Sequence, residues 1–511
     1  MKLRLRWVTL AVFVLVMSVA VGSVGVAQEL VVATGADPVR LDPPDQTDNV
    51  SETVLRHVMD GLVEFDEEMN FVPALATAWE VVGDGEGYRF FLRQGVTFHD
   101  GTAFNAEAVK YNFDRIIEGQ LRRTALLRPY IKSVEVEDEF TVVMYTHFPF
   151  GALLNYLAHG ASLIQSPTAI EEQGEDIGRR PVGTGPFAFD RWVVGDYLTL
   201  TANEDYWGGA PQISGIRFRV VPEEATRVFQ LETGEAHVVV RVPPTEVPRL
   251  EAASGTNVLV ADSLRVIYIG MVVHKTPLDN VLVRQAINHA IDRETIVGQI
   301  LEGFGTPADS PIAPLTQGYY SAGGYEYNPD RARELLAEAG YPNGFDIKFW
   351  TPNGRYLKDY ETSLVVQQML AEVGIRADLQ VIEWATYISS LFDVDKDTTE
   401  AELYLLGWAP STGESDWVLR PLFSSDLFPP IGDNASYYAN PALDERIQAA
   451  MRETDPDARD ALYAEAQTII HEDAVWAPLH ALRQVVGVRS NVEGVSILPI
   501  EIVLVKDAVI Q

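Results

Sequence analysis

One apolar stretch, Trp7 to Val26, sets the terms on which the rest of this chain must fold. Lys2, Arg4 and Arg6 precede it, and Gly25-Val26-Ala27 ends it with small residues, the pattern of a secretory signal cleaved after Ala27. A retained anchor is the alternative, because the run approaches the ~20 residues that span a bilayer. An exported chain meets an oxidising compartment, yet this one has no cysteine, so no disulfide can staple it and no lipid can be attached at the cleavage site. Its fold must rest on buried apolar surface alone. With 511 residues and 47% apolar side chains there is enough, since roughly 100 to 200 residues per domain gives two or three packed units. We expect a freely soluble periplasmic protein, monomeric.

The charge narrows the partners. Thirty-nine basic and 73 acidic side chains give −34, and loss of the first 27 residues leaves 36 against 73, or −37. Such a field disfavours nucleic acid and anionic membrane surfaces, both of which need clustered Lys and Arg. No second stretch approaches ~18 consecutive apolar residues, so the mature chain is not membrane-embedded. There is no internal repeat and no low-complexity run.

Short β-branched strands such as Leu30–Ala33, Ile216–Val221 and Ala377–Ile382 alternate with amphipathic helices, which predicts α/β or α+β architecture. Asn105 is placed to cap a helix through Ala106, Val109, Phe113 and Ile116, where apolar side chains recur every three or four residues. Asn328-Pro329-Asp330 opens another, which Gly340 ends; a third runs from about Tyr360 to Gly374 and hands over to a strand near Arg376.

Catalytic constellations are missing. The chain has no G-x-S-x-G elbow, no phosphate loop, no dinucleotide fingerprint and no thiolate. His471-Glu472-Asp473 lacks the second histidine of a zinc protease, since Val475 stands four residues on; it reads as a helix end. His99-Asp100 has the order of a base and its orienting carboxylate, but Asp100-Gly101 is better explained as the tight turn of a hairpin after Val96-Thr97-Phe98. Among 73 carboxylates, acid and base pairs arise by chance and carry no weight alone.

A family resemblance then emerges. Gly95-Val96-Thr97-Phe98-His99-Asp100-Gly101-Thr102-Ala103-Phe104-Asn105-Ala106-Glu107-Ala108-Val109-Lys110 resembles, nearly letter for letter, the signature of solute-binding proteins of peptide-type ABC importers. Further blocks follow in the family's order: Leu41-Asp42-Pro43, Leu75-Ala76 with Trp79-Glu80, Val182 to Phe187, Ala290 to Arg293, Ala332 to Leu336 with Ala339 to Pro342, and Gln368 to Ile375. They span essentially the whole mature chain. Within the family, Gly407 to Leu419, with Ser411-Thr412-Gly413-Glu414 and then Asp416-Trp417, looks like the glutathione-binding branch. Dipeptide and oligopeptide binders usually carry an acidic residue three positions after the tryptophan, where it pairs with the ligand's α-amino group. Here Ser411 occupies that position, which leaves Glu414 or Asp416 to take over the amine.

A binder that closes over a zwitterionic peptide must replace water around an ammonium and carboxylates, which calls for a buried acid, a bidentate arginine and apolar walls. Trp408, Ser411, Thr412, Glu414, Asp416 and Trp417 are expected on a loop at the end of the strand Leu403 to Leu406; the alternative makes both tryptophans core and Glu414 a helix cap. Arg355 and Tyr356, in the turn after Trp350-Thr351, are the expected carboxylate partners, with a solvated turn as the alternative. Arg265 is a second candidate, but pairing between lobes is its better reading. Asn49 is placed to hydrogen-bond peptide backbone or serve as a turn residue, and His57 reads as a core residue.

The resemblance implies a two-lobed α/β fold of the periplasmic-binding-protein type, in the three-domain form of peptide binders. The first lobe would hold residues 28–67, 182–265 and 483–511 with an inserted subdomain at 68–181; the second would span 266–482. Chain crossings would fall near Arg265–Gly270 and Leu479–Val485. The implied function is capture of glutathione or a related short peptide for a membrane permease, without cofactor, metal or catalysis. Dipeptides, oligopeptides, nickel chelates, haem and oligosaccharides are the other ligands of such relatives, and an exported hydrolase is a distant alternative. Nine histidines without metal-ligand spacing argue against direct nickel coordination. Glutathione is itself net anionic, so a −37 protein must reverse its own field locally, with an arginine such as Arg355 facing the cleft.

Overall fold

A computed structural model describes residues 28–511; the signal segment and its cleavage after Ala27 lie outside the described residues. Among the described residues no helix is long and apolar enough to cross a membrane.

The mixed α/β architecture is organised by one eleven-stranded sheet. Its order runs Ile375–Val381, Phe345–Thr351, Leu403–Trp408, Thr256–Met271, Trp476–Arg489, Val238–Val240, Glu29–Thr34, Gly215–Val220, Tyr197–Ala202, Phe187–Val193, with Gly305–Pro307 attached to Trp476–Arg489. Two long antiparallel strands, Thr256–Met271 and Trp476–Arg489, hold this sheet together. Residues 256–262 pair with 483–489, 266–270 pair with 476–481, and the register shifts between Asp262 and Val266 and again between Ile267 and Tyr268. The first shift divides the molecule into two lobes with separate cores. On one side Leu30, Val54, Phe187, Phe218 and Val486 pack together, and on the other Ile267, Ile287, Phe349, Leu370 and Leu405 do so. Both expected chain crossings therefore fall inside continuous strands, where a break in hydrogen-bond register is the local weakness.

A four-stranded antiparallel sheet, Ala76–Val82, Gly87–Leu92, Thr141–Thr146 and Ile131–Asp138, carries its own core around Phe90, Phe113, Phe150 and Tyr156. That core also takes in Leu62, Phe65 and Met69, because Val63–Phe65 pairs with Phe71–Pro73 in a hairpin. An inserted-subdomain boundary at 67/68 falls in the turn of that hairpin, so the insert's packing reaches back to Leu62.

Local chemistry sets the elements that the sequence suggested. Asn105 accepts the amide of Ala108 and starts the helix Ala106–Glu118. Asn328 accepts the amide of Arg331, with Pro329 in the first helical position of Pro329–Glu338. Gly101 has φ 83° in the expected turn, where Thr97 bridges Ala103; Asp100 accepts from Thr102 and, at 2.5 Å, from Ser166. His57 is fully buried, between the carbonyl of Thr53 and the amide of Val505, in accordance with a core role.

Candidate functional site

The candidate residues assemble at the junction of the lobes, in two groups on either side of the strand end Gly407-Trp408. This strand lies beside the crossing strand, with Val266 opposite Trp408 and Ile267 opposite Gly407. The Gly407 carbonyl accepts the Tyr356 hydroxyl at 3.1 Å. A Cβ at Gly407 would meet Ile267 at 2.4 Å and the Tyr356 ring at 2.9 Å, so only glycine lets Tyr356 dock here.

The first group is cationic. The turn after Phe345–Thr351 is fixed by Asp359, whose carboxylate accepts the amides of Gly354, Arg355 and Tyr356 at 2.8 to 3.0 Å. This sets Arg355 with its guanidinium 5.2 Å from the Tyr356 ring centre and 4.9 Å from that of Trp384. Arg265 forms a bidentate pair with Glu501, both bonds at 2.8 Å, which ties the crossing strand to the C-terminal segment. Asn49 donates to the Ile500 carbonyl at 3.3 Å and to Glu501 at 3.5 Å, so its amide is engaged in holding that segment. Burial alone would raise the Glu501 carboxyl, but Arg265, Arg241 and the Ser263 hydroxyl hold it down at about 2. Burial, with Arg265 and Arg241 close by, lowers the Arg355 guanidinium below its usual value. Three arginines thus share one carboxylate. Among the described residues only Arg265 reaches that carboxylate at ion-pair distance, while Arg241 and the partly desolvated Arg355 keep part of their surface exposed. The local potential is positive inside a strongly acidic protein.

The second group is acidic and closed off. Trp408 ends its strand, Ser411, Thr412 and Glu414 lie on the following loop, and Asp416 and Trp417 open the helix Asp416–Phe423. The half-buried Trp408 donates its indole N–H to the Trp417 carbonyl at 2.9 Å, and Ser411 is half-buried. Glu414 is fully buried. One of its oxygens accepts the Tyr463 hydroxyl at 2.6 Å and lies 3.6 Å from Arg459; the other accepts the Asp416 amide at 2.7 Å. Each oxygen thus has a partner from its own lobe, which braces the loop. Glu414 or Asp416 as the partner of a ligand amine is a proposal, and the Asp416 amide bond also fits the helix-capping alternative. Asp416 is 1% exposed; one oxygen accepts the Tyr156 hydroxyl at 3.0 Å and the other has no donor. Burial pushes the Glu414 carboxyl up to about 7, against the pull of Arg459, and raises Asp416 against Arg420. Thr412 is fully buried, its carbonyl accepting the Asn155 amide at 3.3 Å.

Tyr156 and Asn155 belong to the core of the four-stranded unit, so this group lies on a contact between lobes. The same edge carries the Asn155 amide to Gln317 at 2.9 Å and the Gln317 amide to the Met69 carbonyl at 2.9 Å. Trp417 meets Tyr156 edge-on at 5.9 Å, and Met451 joins the core of the small unit. Sequence reasoning missed Arg241, Trp384, Tyr156, Asn155 and Arg459. Their chain positions carry no local motif; only the fold brings them to residues 355 and 416. Among the described residues no group of three or more His, Asp or Glu side chains is arranged to hold a metal ion.

The arrangement can clamp anionic groups. Residues 70–428 match the family model of the bacterial extracellular solute-binding proteins, family 5 Middle. The chain is 36% identical over 497 residues to the glutathione-binding protein GsiB of Salmonella typhi, covering 97% of this chain and 96% of that one. It is 34% identical over 511 residues to GsiB of Pectobacterium atrosepticum, covering 99% of each. In three dimensions it superposes on HbpA2 from Haemophilus parasuis with a TM-score of 0.85 at 28% identity, covering 95% of this chain and 100% of that one. For the periplasmic binding protein DppA from Helicobacter pylori, in complex with the peptide STSA, the TM-score is 0.77 at 30% identity, over 94% of this chain and 98% of that one.

Proposed function

The chain belongs to the bacterial extracellular solute-binding proteins of family 5, and from that membership we propose that it captures glutathione or a related short anionic peptide and delivers it to the membrane permease of an ABC importer. The observation that carries the ligand class is the cluster of Arg241, Arg265 and Arg355 around the single carboxylate of Glu501. A ligand with two carboxylates and one ammonium leaves a net negative charge for such a cluster to neutralise. Arg355, stacked against Tyr356 and Trp384, offers its planar fork to one carboxylate, and Arg241 approaches from the opposite lobe. Trp408 and Ser411 lie at the same strand end as a wall for the peptide.

On this reading the protein works in the periplasm after cleavage following Ala27. The first lobe comprises 28–67, 182–265 and 483–511, the insert 68–181 with its hairpin root from Leu62, and the second lobe 266–482. The register shift at Asp262/Val266 is the hinge. Ligand contacts to both lobes favour the closed form through their differential affinity for it, and no covalent bond changes. The test is thermal unfolding of refolded, ligand-stripped protein with glutathione, its disulfide, and di- to tetrapeptides. A ligand present at 100 times its Kd stabilises by about 2.7 kcal/mol. The anionic peptides are expected to raise the melting temperature without being consumed. No shift with any of them refutes the assignment.

A further inference from the structure

The buried edge between the lobes holds more negative charge than its surroundings can compensate. The backbone amide of Asp416 donates to the Glu414 carboxylate at 2.7 Å, and both side chains are buried, near enough for the Asp416 charge to raise the Glu414 carboxyl. Arg459 is nearest to Glu414, at 3.6 Å, and makes no hydrogen bond through its Nε. Arg420, on the helix of Asp416 itself, has its guanidinium 5.9 Å from the Tyr130 ring and forms no ion pair among the described residues. The other titratable groups facing the pair are the hydroxyls of Tyr156 and Tyr130 from the small unit and Tyr463 from the helix Pro456–Glu472. None is a histidine. Tyr156 gives Asp416 one hydrogen bond and the second oxygen of Asp416 has none.

A carboxylate so placed has lost its water and gained one donor, an unfavourable exchange for an ion and an acceptable one for a neutral carboxyl. Glu414 keeps its partners within its own lobe whichever way the lobes stand. Asp416 is different, because Tyr156, Trp417 packing on Tyr156, and the Asn155 to Thr412 bond all cross between lobes. Separating the lobes returns Asp416 to water.

We propose that the Glu414–Asp416 pair is a proton-operated latch: the lobes close with one proton held on the pair and separate more readily when both carboxyls are ionised. This rests on the reading of the protein as a two-lobed binder, but not on which ligand it binds. The sign follows from linkage. A carboxyl whose affinity for the proton is greater in the closed form favours closure at low pH, and that preference is lost as pH rises from the ordinary carboxylate range through neutrality. One proton changes the open-to-closed ratio by at most about tenfold per pH unit.

The test is small-angle scattering of the ligand-free mature protein between pH 5 and pH 8, which is independent of ligand identity. The radius of gyration is expected to fall as the solution is acidified. Asp416→Asn, a neutral isostere, is expected to be compact and insensitive to pH, while Tyr156→Phe keeps the pH dependence because the carboxyl remains. Asp416→Ser, which also removes the carboxyl, serves as a second variant should Asp416→Asn fail to fold. A wild-type radius that does not change with pH overturns the proposal, as does a pH dependence that survives replacement of Asp416. If glutathione fails the thermal test while the radius still responds to pH through Asp416, the ligand reading falls and the latch stands.

Discussion

Replacing Gly151 by alanine tests lobe closure without touching the cleft. Gly151 lies on the small unit, and a Cβ built there would stand 1.9 Å from the Glu453 carbonyl oxygen and 2.5 Å from Arg459 Nη1, both on the second lobe. Ordinary van der Waals contact begins at 3.4 Å, so the edge must give by about 1.5 Å or stay apart. Backbone carbonyls yield little, and overpacking of a well-packed contact costs about 1–3 kcal/mol. Gly151 is not among the glycines with positive φ, so alanine introduces no backbone strain once the lobes separate. The cost therefore falls on the closed form. We expect Gly151→Ala to weaken glutathione binding about 5- to 150-fold in isothermal titration, the factor that 1–3 kcal/mol represents. The melting temperature of the ligand-free protein should stay close to wild type. Unchanged affinity in the variant refutes the claim that ligand capture requires this edge to shut.

Other consequences are as direct. Arg355→Ala removes a charge-assisted contact of about 1.5–3 kcal/mol and should weaken binding of glutathione roughly 10- to 150-fold, with little change for a neutral dipeptide amide. Glu501 titrates at about 2 in the folded protein, below the ordinary carboxylate value, so its contribution is fully present above pH ~4.5 and is lost as pH falls toward 2. Thermal scans from pH 6 to pH 2.5 should show wild type losing more stability than Glu501→Gln, by at most about 3 kcal/mol. Asn105→Ala removes the cap of Ala106–Glu118 and should cost about 1 kcal/mol in denaturant unfolding, leaving affinity unchanged.

What the chain disclosed about itself was mostly local. Asn105, Asn328 and Asp100-Gly101 do what their residue types do anywhere, because caps and turns are decided within a few residues. Arg265 was expected to pair between lobes, but its partner Glu501, 236 positions away, falls with it in the expected first lobe. The need for a local cationic patch followed from setting an anionic ligand against a chain of net charge −34, and Arg355 was legible because Asp359 and the preceding strand define its turn. Arg241 was not, since its relevance arises only when the first lobe brings it near residue 501. Glu414 shows the converse limit. Its neighbours Ser411 and Thr412 suggested a binding loop, and Tyr463 and Arg459, from a helix about fifty residues on, both meet one of its oxygens. Whether a buried acid binds ligand or braces the fold is decided by such distant partners.

The central claim is that the cleft recognises the negative charge of a short peptide. Isothermal titration of ligand-stripped protein with glutathione, and with glutathione amidated at both carboxyls, tests it most directly. We predict saturable one-to-one binding of glutathione and at least about 100-fold weaker binding of the diamide, since two charge-assisted contacts are removed. Equal affinity for the two, or saturation by neutral dipeptides with none by glutathione, would contradict it.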